Sequence, residues 1–130
     1  MYKLIALDID GTLLNSSNQV TDSVKKAIKE SKEKGVKVVL CTGRPLKGVE
    51  NYLEELNLKE EGDYVTTFNG ALVQDSHTGE SISHLTLDYN DLCDLYELSL
   101  EIGSRSHFYD TRTLYTFNKD VVVESATLIQ

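Results

Sequence analysis

Through Phe68 the apolar positions fall into short solid blocks, separated by stretches of helical spacing. Leu4 to Leu7 is an unbroken apolar run, the pattern of a strand covered on both faces. After the polar loop Asn15 to Gln19, Thr21 stands where a helix N-cap belongs. Val24, Ala27 and Ile28 then share one helical face, and Gly35 follows as a stop. Val36 to Leu40 reads as a second buried strand carrying one lysine. Pro45 lacks the N–H that a first helical turn leaves unpaired, so it predicts another helix, lined by Leu46, Val49, Leu53 and Leu56. Tyr64 to Phe68 is a third strand. The resulting βαβαβ order predicts a parallel sheet with right-handed crossovers.

Beyond Asn69-Gly70 the pattern changes. Ala71 to Val73 and Ile82 to Leu87 read as short strands around the turn residues Asp75 to Gly79, which makes a hairpin. Asp88 to Ile102 is an amphipathic helix carrying Leu92, Leu95, Tyr96 and Ile102, stopped by Gly103. His107 to Tyr109 and Leu114 to Phe117 are two further strands. The expected organisation is an α/β part over residues 1–69 and an α+β part over residues 70–130.

Composition narrows the function classes. Twenty-one acidic against 13 basic residues leave a net charge of −8, which disfavours nucleic acid, whose phosphates need a basic surface. No apolar run of about 18 residues is present, so no membrane span is expected. The N-terminus lacks a signal-peptide pattern. Cys41 and Cys93 lie far apart in the sequence and make no disulfide framework, so a reducing cytoplasm is the expected location.

Candidate chemistry gathers where the strands end. Leu4 to Leu7 runs straight into Asp8-Ile9-Asp10-Gly11-Thr12. Two carboxylates one residue apart repel, and a bound cation, a shared proton or wide solvent exposure can each offset that. In an open α/β sheet, ligands sit beyond the carboxyl ends of the strands. Cys41-Thr42-Gly43-Arg44 and Asn69-Gly70 follow the second and third strands and should share a crevice with the two acids. Paired carboxylates suit Mg²⁺, and Thr42 with nearby N–H groups at a helix start suits phosphate. Other patterns fail. Gly43 to Gly48 imitates a P-loop, but Val49 and Glu50 stand where Lys and Ser/Thr are required. A Cys41 nucleophile of the Cys-based phosphatase kind needs an arginine where Lys47 stands, so Cys41 reads as a strand-end thiol. His77, His84 and His107 have no metal-ligand spacing. A signalling receiver domain needs an aspartate at the end of strand three, where Phe68-Asn69-Gly70 stands.

Asp8-Ile9-Asp10-Gly11-Thr12-Leu13-Leu14 together with Thr42-Gly43-Arg44-Pro45 resembles the haloacid dehalogenase (HAD) superfamily, and within it the Cof-type phosphatases. The stretches GVKVVLCTGRP, NYLEELNL, GDYVTTFNGALVQD and TRTLYTFNKD extend the likeness over nearly the whole chain. The resemblance implies part of a Rossmann-like core, three parallel strands with helices, plus the first part of a C2-type cap. It implies a Mg²⁺-dependent phosphatase of small phosphorylated metabolites, foremost sugar phosphates. Asp8 would be the nucleophile and Asp10 the general acid and base. Asp8 and the Asp10 carbonyl would hold Mg²⁺. Thr42, Gly43 and the Ile9 N–H would hold phosphate, with Arg44, Asn69 and Gly70 on the substrate side. A phosphomutase of the same superfamily shares these residues.

The resemblance also implies two later motifs, a lysine and an acidic Gly-Asp-x-x-Asn-Asp stretch. The second has no match here, and Lys119 is the single lysine after Gly70. The expectation is therefore the N-terminal half of a phosphatase, truncated and inactive alone. As a non-catalytic remnant, it would self-associate through the exposed edge of its first strand.

Overall fold

The computed structural model describes residues 2–116. Phe117 and Lys119, both used in the sequence reading, lie outside the described residues. The chain divides into compact units Met1–Leu85 and Thr86–Gln130.

The first unit is built on one five-stranded sheet in the order β1-β2-β3-β4-β5. Strands β1 (Leu4–Leu7), β2 (Lys37–Cys41) and β3 (Tyr64–Thr67) run parallel, as the alternation of elements predicts. Helix α1 (Asp22–Glu33) joins the first two. It starts where expected, with the Thr21 hydroxyl accepting the Val24 N–H at 3.4 Å. Helix α2 (Glu50–Glu55) precedes β3. The core lies on the face that both helices cover: Ile28 from α1 and Leu53 from α2 join Val38, Leu40 and Val65 of the sheet.

Two expectations are corrected. First, β1 is not buried on both faces. Leu7 packs toward the core, but Leu4 is 55% exposed, because β1 is an edge strand among the described residues. Second, Pro45 does not open a long helix. It sits in extended conformation before a single 3₁₀ turn, Leu46–Gly48, and α2 begins only at Glu50. The Gly48 carbonyl is taken up by the Arg44 side chain, which favours a separate turn there. The expected hairpin beyond residue 70 joins the same sheet. Strand β4 (Leu72–Asp75) folds back antiparallel on β3, and β5 (Ser81–His84) pairs with β4. The first compact unit therefore includes this hairpin and runs to Leu85.

The second unit contains α3 (Tyr89–Glu101) and an antiparallel ribbon of β6 (His107–Tyr109) and β7 (Leu114–Thr116). Asp88 caps α3 by accepting the Asp91 N–H at 2.9 Å. Leu95 and Ile102 of the expected amphipathic helix are exposed. Among the described residues, no helix is long and apolar enough to cross a membrane.

One ionic tie locks α1 to the segment that enters β3. Lys32, near the end of α1, reaches Glu60 at 2.9 Å and Asp63 at 3.0 Å, and also donates to the Asn57 carbonyl. Asp63 is only 2% exposed, and its carboxylate also accepts the Glu60 N–H at 3.1 Å. Burial pushes the Lys32 pKa down, but the hydrogen bonds and charges of Glu60 and Asp63 together leave it raised. The Lys32 and Asn57 hydrogen bonds lower the Glu60 pKa. Removing one partner of such a pair leaves a buried charge uncompensated, so Lys32→Met should destabilise the fold by about 3 kcal/mol in urea titrations. Adding Asp63→Asn should restore part of that loss, since a neutral amide is easier to bury.

Acid should weaken the same tie. Folding lowers the Glu60 pKa, so its contribution is present above the ordinary carboxylate range and is lost as pH falls through the folded-state value. Urea midpoints measured across that range should therefore drop less in Glu60→Gln than in the wild type.

Candidate active site

The three parallel strands end side by side, with Leu7 opposite Leu40 and Cys41 opposite Thr66. The candidate residues lie on the loops that leave these ends. After β1 the chain makes a wide turn, in which the Leu13 N–H reaches the Asp8 carbonyl at 3.1 Å and the Leu14 N–H reaches the Ile9 carbonyl at 3.1 Å. Gly11 takes φ of 77°, a left-handed geometry that glycine adopts without strain. The Ile9 side chain is fully buried, so only its main chain can serve a ligand. This anchor separates two exposed acids. Asp8 makes no capping hydrogen bond, and its carboxylate has no partner among the described residues.

Asp10 is held. Arg44 Nε donates to Asp10 Oδ2 at 2.9 Å and Arg44 Nη2 donates to Oδ1 at 2.6 Å, a two-pronged charge-assisted contact. Arg44 is itself anchored: Nη1 donates to the Gly48 carbonyl at 3.3 Å, and the guanidinium lies 5.7 Å from the centre of the Tyr52 ring. The Asp10 hydrogen bonds raise the Arg44 pKa against an opposing effect of burial. Arg44 therefore faces an acid of the site, where sequence reasoning placed it beside substrate.

Thr42 is buried at the centre of these loops. Its N–H extends the sheet ladder to the Thr66 carbonyl at 3.0 Å, its carbonyl accepts the Asn69 N–H at 3.0 Å, and its hydroxyl accepts the Arg44 N–H at 3.2 Å. The helix start expected to supply phosphate-binding N–H groups is absent here, because α2 begins six residues beyond Arg44. Any anion at this place would meet loop N–H groups. Gly43 is exposed and lies against Asn69: a Cβ on Gly43 would come within 2.8 Å of Asn69 Oδ1. The loops after β2 and β3 can approach this closely because residue 43 has no side chain.

The loop after β3 is strained. Phe68 and Asn69 have φ of 51° and 55°, and Gly70 has φ of 97°. A bulky residue in left-handed geometry costs roughly 1–2 kcal/mol. The Phe68 N–H to the Arg44 carbonyl (3.2 Å) and the Asn69 N–H to Thr42 hold it there. Such outliers cluster at functional sites. The structure thus joins Asp10 with Arg44 and Thr42, and Gly43 with Asn69. It leaves Asp8 unengaged. Sequence reasoning missed Tyr52, Gly48 and Phe68. Tyr52 was legible as a neighbour of Val49 and Leu53 on the inner helix face, whereas the left-handed Phe68 has no sequence signal.

The other candidates are plain. The Cys41 thiol points at the Val39 carbonyl at 3.9 Å. His77 is exposed and bonds the Lys59 carbonyl through Nδ1 at 3.0 Å. Among the described residues, no three His, Cys, Asp or Glu side chains gather into a metal cluster. The ligand pair that the family resemblance implies, the Asp8 carboxylate and the Asp10 main-chain carbonyl, is an all-oxygen set, and its carboxylate has no partner among the described residues. That chemistry fits Mg²⁺, which takes one or two carboxylates and keeps several waters.

The sequence profile of haloacid dehalogenase-like hydrolases matches residues 5–128. YxeH of Bacillus subtilis (strain 168) is 59% identical over 121 residues, covering 93% of this chain and 45% of YxeH. A haloacid dehalogenase-like hydrolase from Bacteroides thetaiotaomicron superposes with a TM-score of 0.79 at 29% identity, covering 93% of this chain and 46% of that one. The HAD subclass IIB sugar phosphatase BT4131 superposes with a TM-score of 0.72 at 26% identity, covering 86% of this chain and 42% of its own. The chain spans about half the length of the curated relatives it matches. With its profile match running almost end to end, its acid-bearing loop after β1 and its mixed sheet, the chain belongs to the haloacid dehalogenase-like hydrolase family.

Proposed function

We propose that this chain carries the nucleophile and the phosphate loop of a Mg²⁺-dependent phosphohydrolase acting on small phosphorylated metabolites, with sugar phosphates the first class to test. The observation that carries the reading is the unequal state of the two acids: Asp8 is exposed and has no partner among the described residues, while Asp10 beside it is held by Arg44. A free carboxylate suits attack on phosphorus, and a held one suits proton transfer from a constant position. The name of BT4131 as a sugar phosphatase supports the substrate class.

An Asp8 oxygen would attack phosphorus as the bond to the leaving oxygen breaks, giving an aspartyl-phosphate and an alcohol that takes its proton from Asp10. Asp10 would then remove a proton from water as that water attacks the same phosphorus, releasing phosphate and restoring Asp8. Both Asp10 oxygens accept from Arg44 here, as befits the base step. Donation in the first step needs one of those bonds to open. Asp8 and the Asp10 carbonyl would hold Mg²⁺, whose charge would offset repulsion between Asp8 and phosphate. Gly43 and the Ile9 N–H would face the phosphate, and Asn69-Gly70 would border the substrate.

The relatives are about twice as long, and no acidic cluster completes the metal site among the described residues. The 130-residue chain alone should therefore hydrolyse sugar phosphates and para-nitrophenyl phosphate poorly. Loss of one preorganised stabilising group typically costs about 10²- to 10³-fold. A robust Mg²⁺-dependent rate that vanishes in Asp8→Asn would defeat the expectation of weak turnover while supporting the assignment of the nucleophile. In a full-length relative, the matching Asp8→Asn change should abolish trapping by a phosphate-mimicking fluoride. Adduct on any other residue would refute the assignment.

A second proposal rests on the sheet edge. β1 has one neighbour among the described residues and an apolar, exposed Leu4, so the chain should self-associate through β1. Sedimentation should show concentration-dependent association, and a monomer at every concentration would contradict it.

A further inference from the structure

The contact between Arg44 and Asp10 is more than a surface ion pair. Exposed pairs of flexible side chains contribute little, because holding both ends costs entropy. Here one end is already fixed. Arg44 is anchored through its N–H on the Thr42 hydroxyl, through Nη1 on the Gly48 carbonyl, and over the Tyr52 ring. The Arg44 side chain is 26% exposed and the Asp10 side chain 56% exposed, so the more buried, anchored arginine holds the more exposed acid. A planar guanidinium matches a carboxylate through two parallel N–H bonds, which a lysine cannot do. Both Asp10 oxygens are occupied in this way. The neighbouring Asp8 has no such partner among the described residues.

We propose that Arg44 is a positioning residue that sets the division of labour between the two acids: by holding the Asp10 carboxylate with its two-pronged grip, it keeps that carboxylate out of the cation site and leaves Asp8 as the side chain that this loop supplies there. Arg44 acts through Asp10 rather than on the substrate. The inference rests on the phosphohydrolase reading for the use made of each acid, but the grip itself is testable without turnover. Its physical content is competition, since a carboxylate whose oxygens are bound by a guanidinium is not free to ligate a cation. Releasing it offers the cation a second carboxylate one residue from the first.

Mn²⁺ is the probe, titrated into the purified 130-residue chain and followed by loss of the free-ion electron paramagnetic resonance signal. Arg44→Met should tighten Mn²⁺ binding by about tenfold, the step expected from coupled neighbouring groups. Arg44→Lys, which keeps the charge and loses the fork, should tighten it as well. In an Asp10→Asn background the Arg44→Met change should alter affinity by less than about threefold, the size of a through-space charge effect in solvent. The Arg44 Nε–H resonance supplies a second measurement, which Asp10→Asn should shift and Asp8→Asn should leave in place. Equal gains in both backgrounds overturn the proposal, as does an Arg44 resonance indifferent to Asp10, or absence of Mn²⁺ binding by every chain including Arg44→Met. Failure of the phosphohydrolase reading looks different, with Asp8→Asn binding Mn²⁺ as tightly as the wild type.

Discussion

Thr42 is the joint on which the candidate site turns. Its N–H continues the ladder of β2 onto β3, its carbonyl takes the Asn69 N–H, and its hydroxyl takes the Arg44 N–H. The loops after β2 and β3 are therefore both referenced to one buried residue. Arg44 leaves this joint in a direction that brings its guanidinium to Asp10. The strained Phe68-Asn69 turn is tied to the same segment, at Thr42 and Arg44. Without the parallel pairing of β1, β2 and β3, none of these loops would begin at neighbouring points.

The two acids show how location on a strand end differs from function at it. Asp8 and Asp10 are chemically identical and both exposed, but among the described residues one has no partner and the other is held from a neighbouring loop. The Ile9 side chain between them is buried in the core and fixes the turn from below. The difference in their surroundings thus comes from burial of an apolar residue and from one anchored arginine. The carboxylates themselves do not differ.

Remote parts of the first unit serve the same rim. The Lys32 tie fixes the end of α1 against the entry to β3, which sets where β3 starts and hence where it ends. The hairpin β4–β5 extends the sheet on the β3 side and leaves β1 at the other edge. That edge lies beside the acid loop.

Much of this was determined by the sequence itself. The apolar blocks at Leu4, Val38 and Val65, the Thr21 cap and the Asp88 cap are local signals, because they depend on spacing and on side chains that act on their own backbone. The candidate residues were legible for the same reason: Asp8, Asp10, Thr42, Gly43, Arg44, Asn69 and Gly70 all follow a strand end. Tertiary structure alone decided the rest. Whether Leu4 is buried depends on having a neighbour and a covering layer, which an apolar run cannot specify. Pro45 permits a helix start, yet the helix waits until Glu50 because a turn and the Arg44–Gly48 contact intervene. The hairpin reads identically whether it stands apart or joins a sheet, and only pairing with β3 placed it in the first unit. The grip of Arg44 on Asp10 spans 34 positions, and no local pattern encodes a contact made by two loops that meet only once their strands lie side by side.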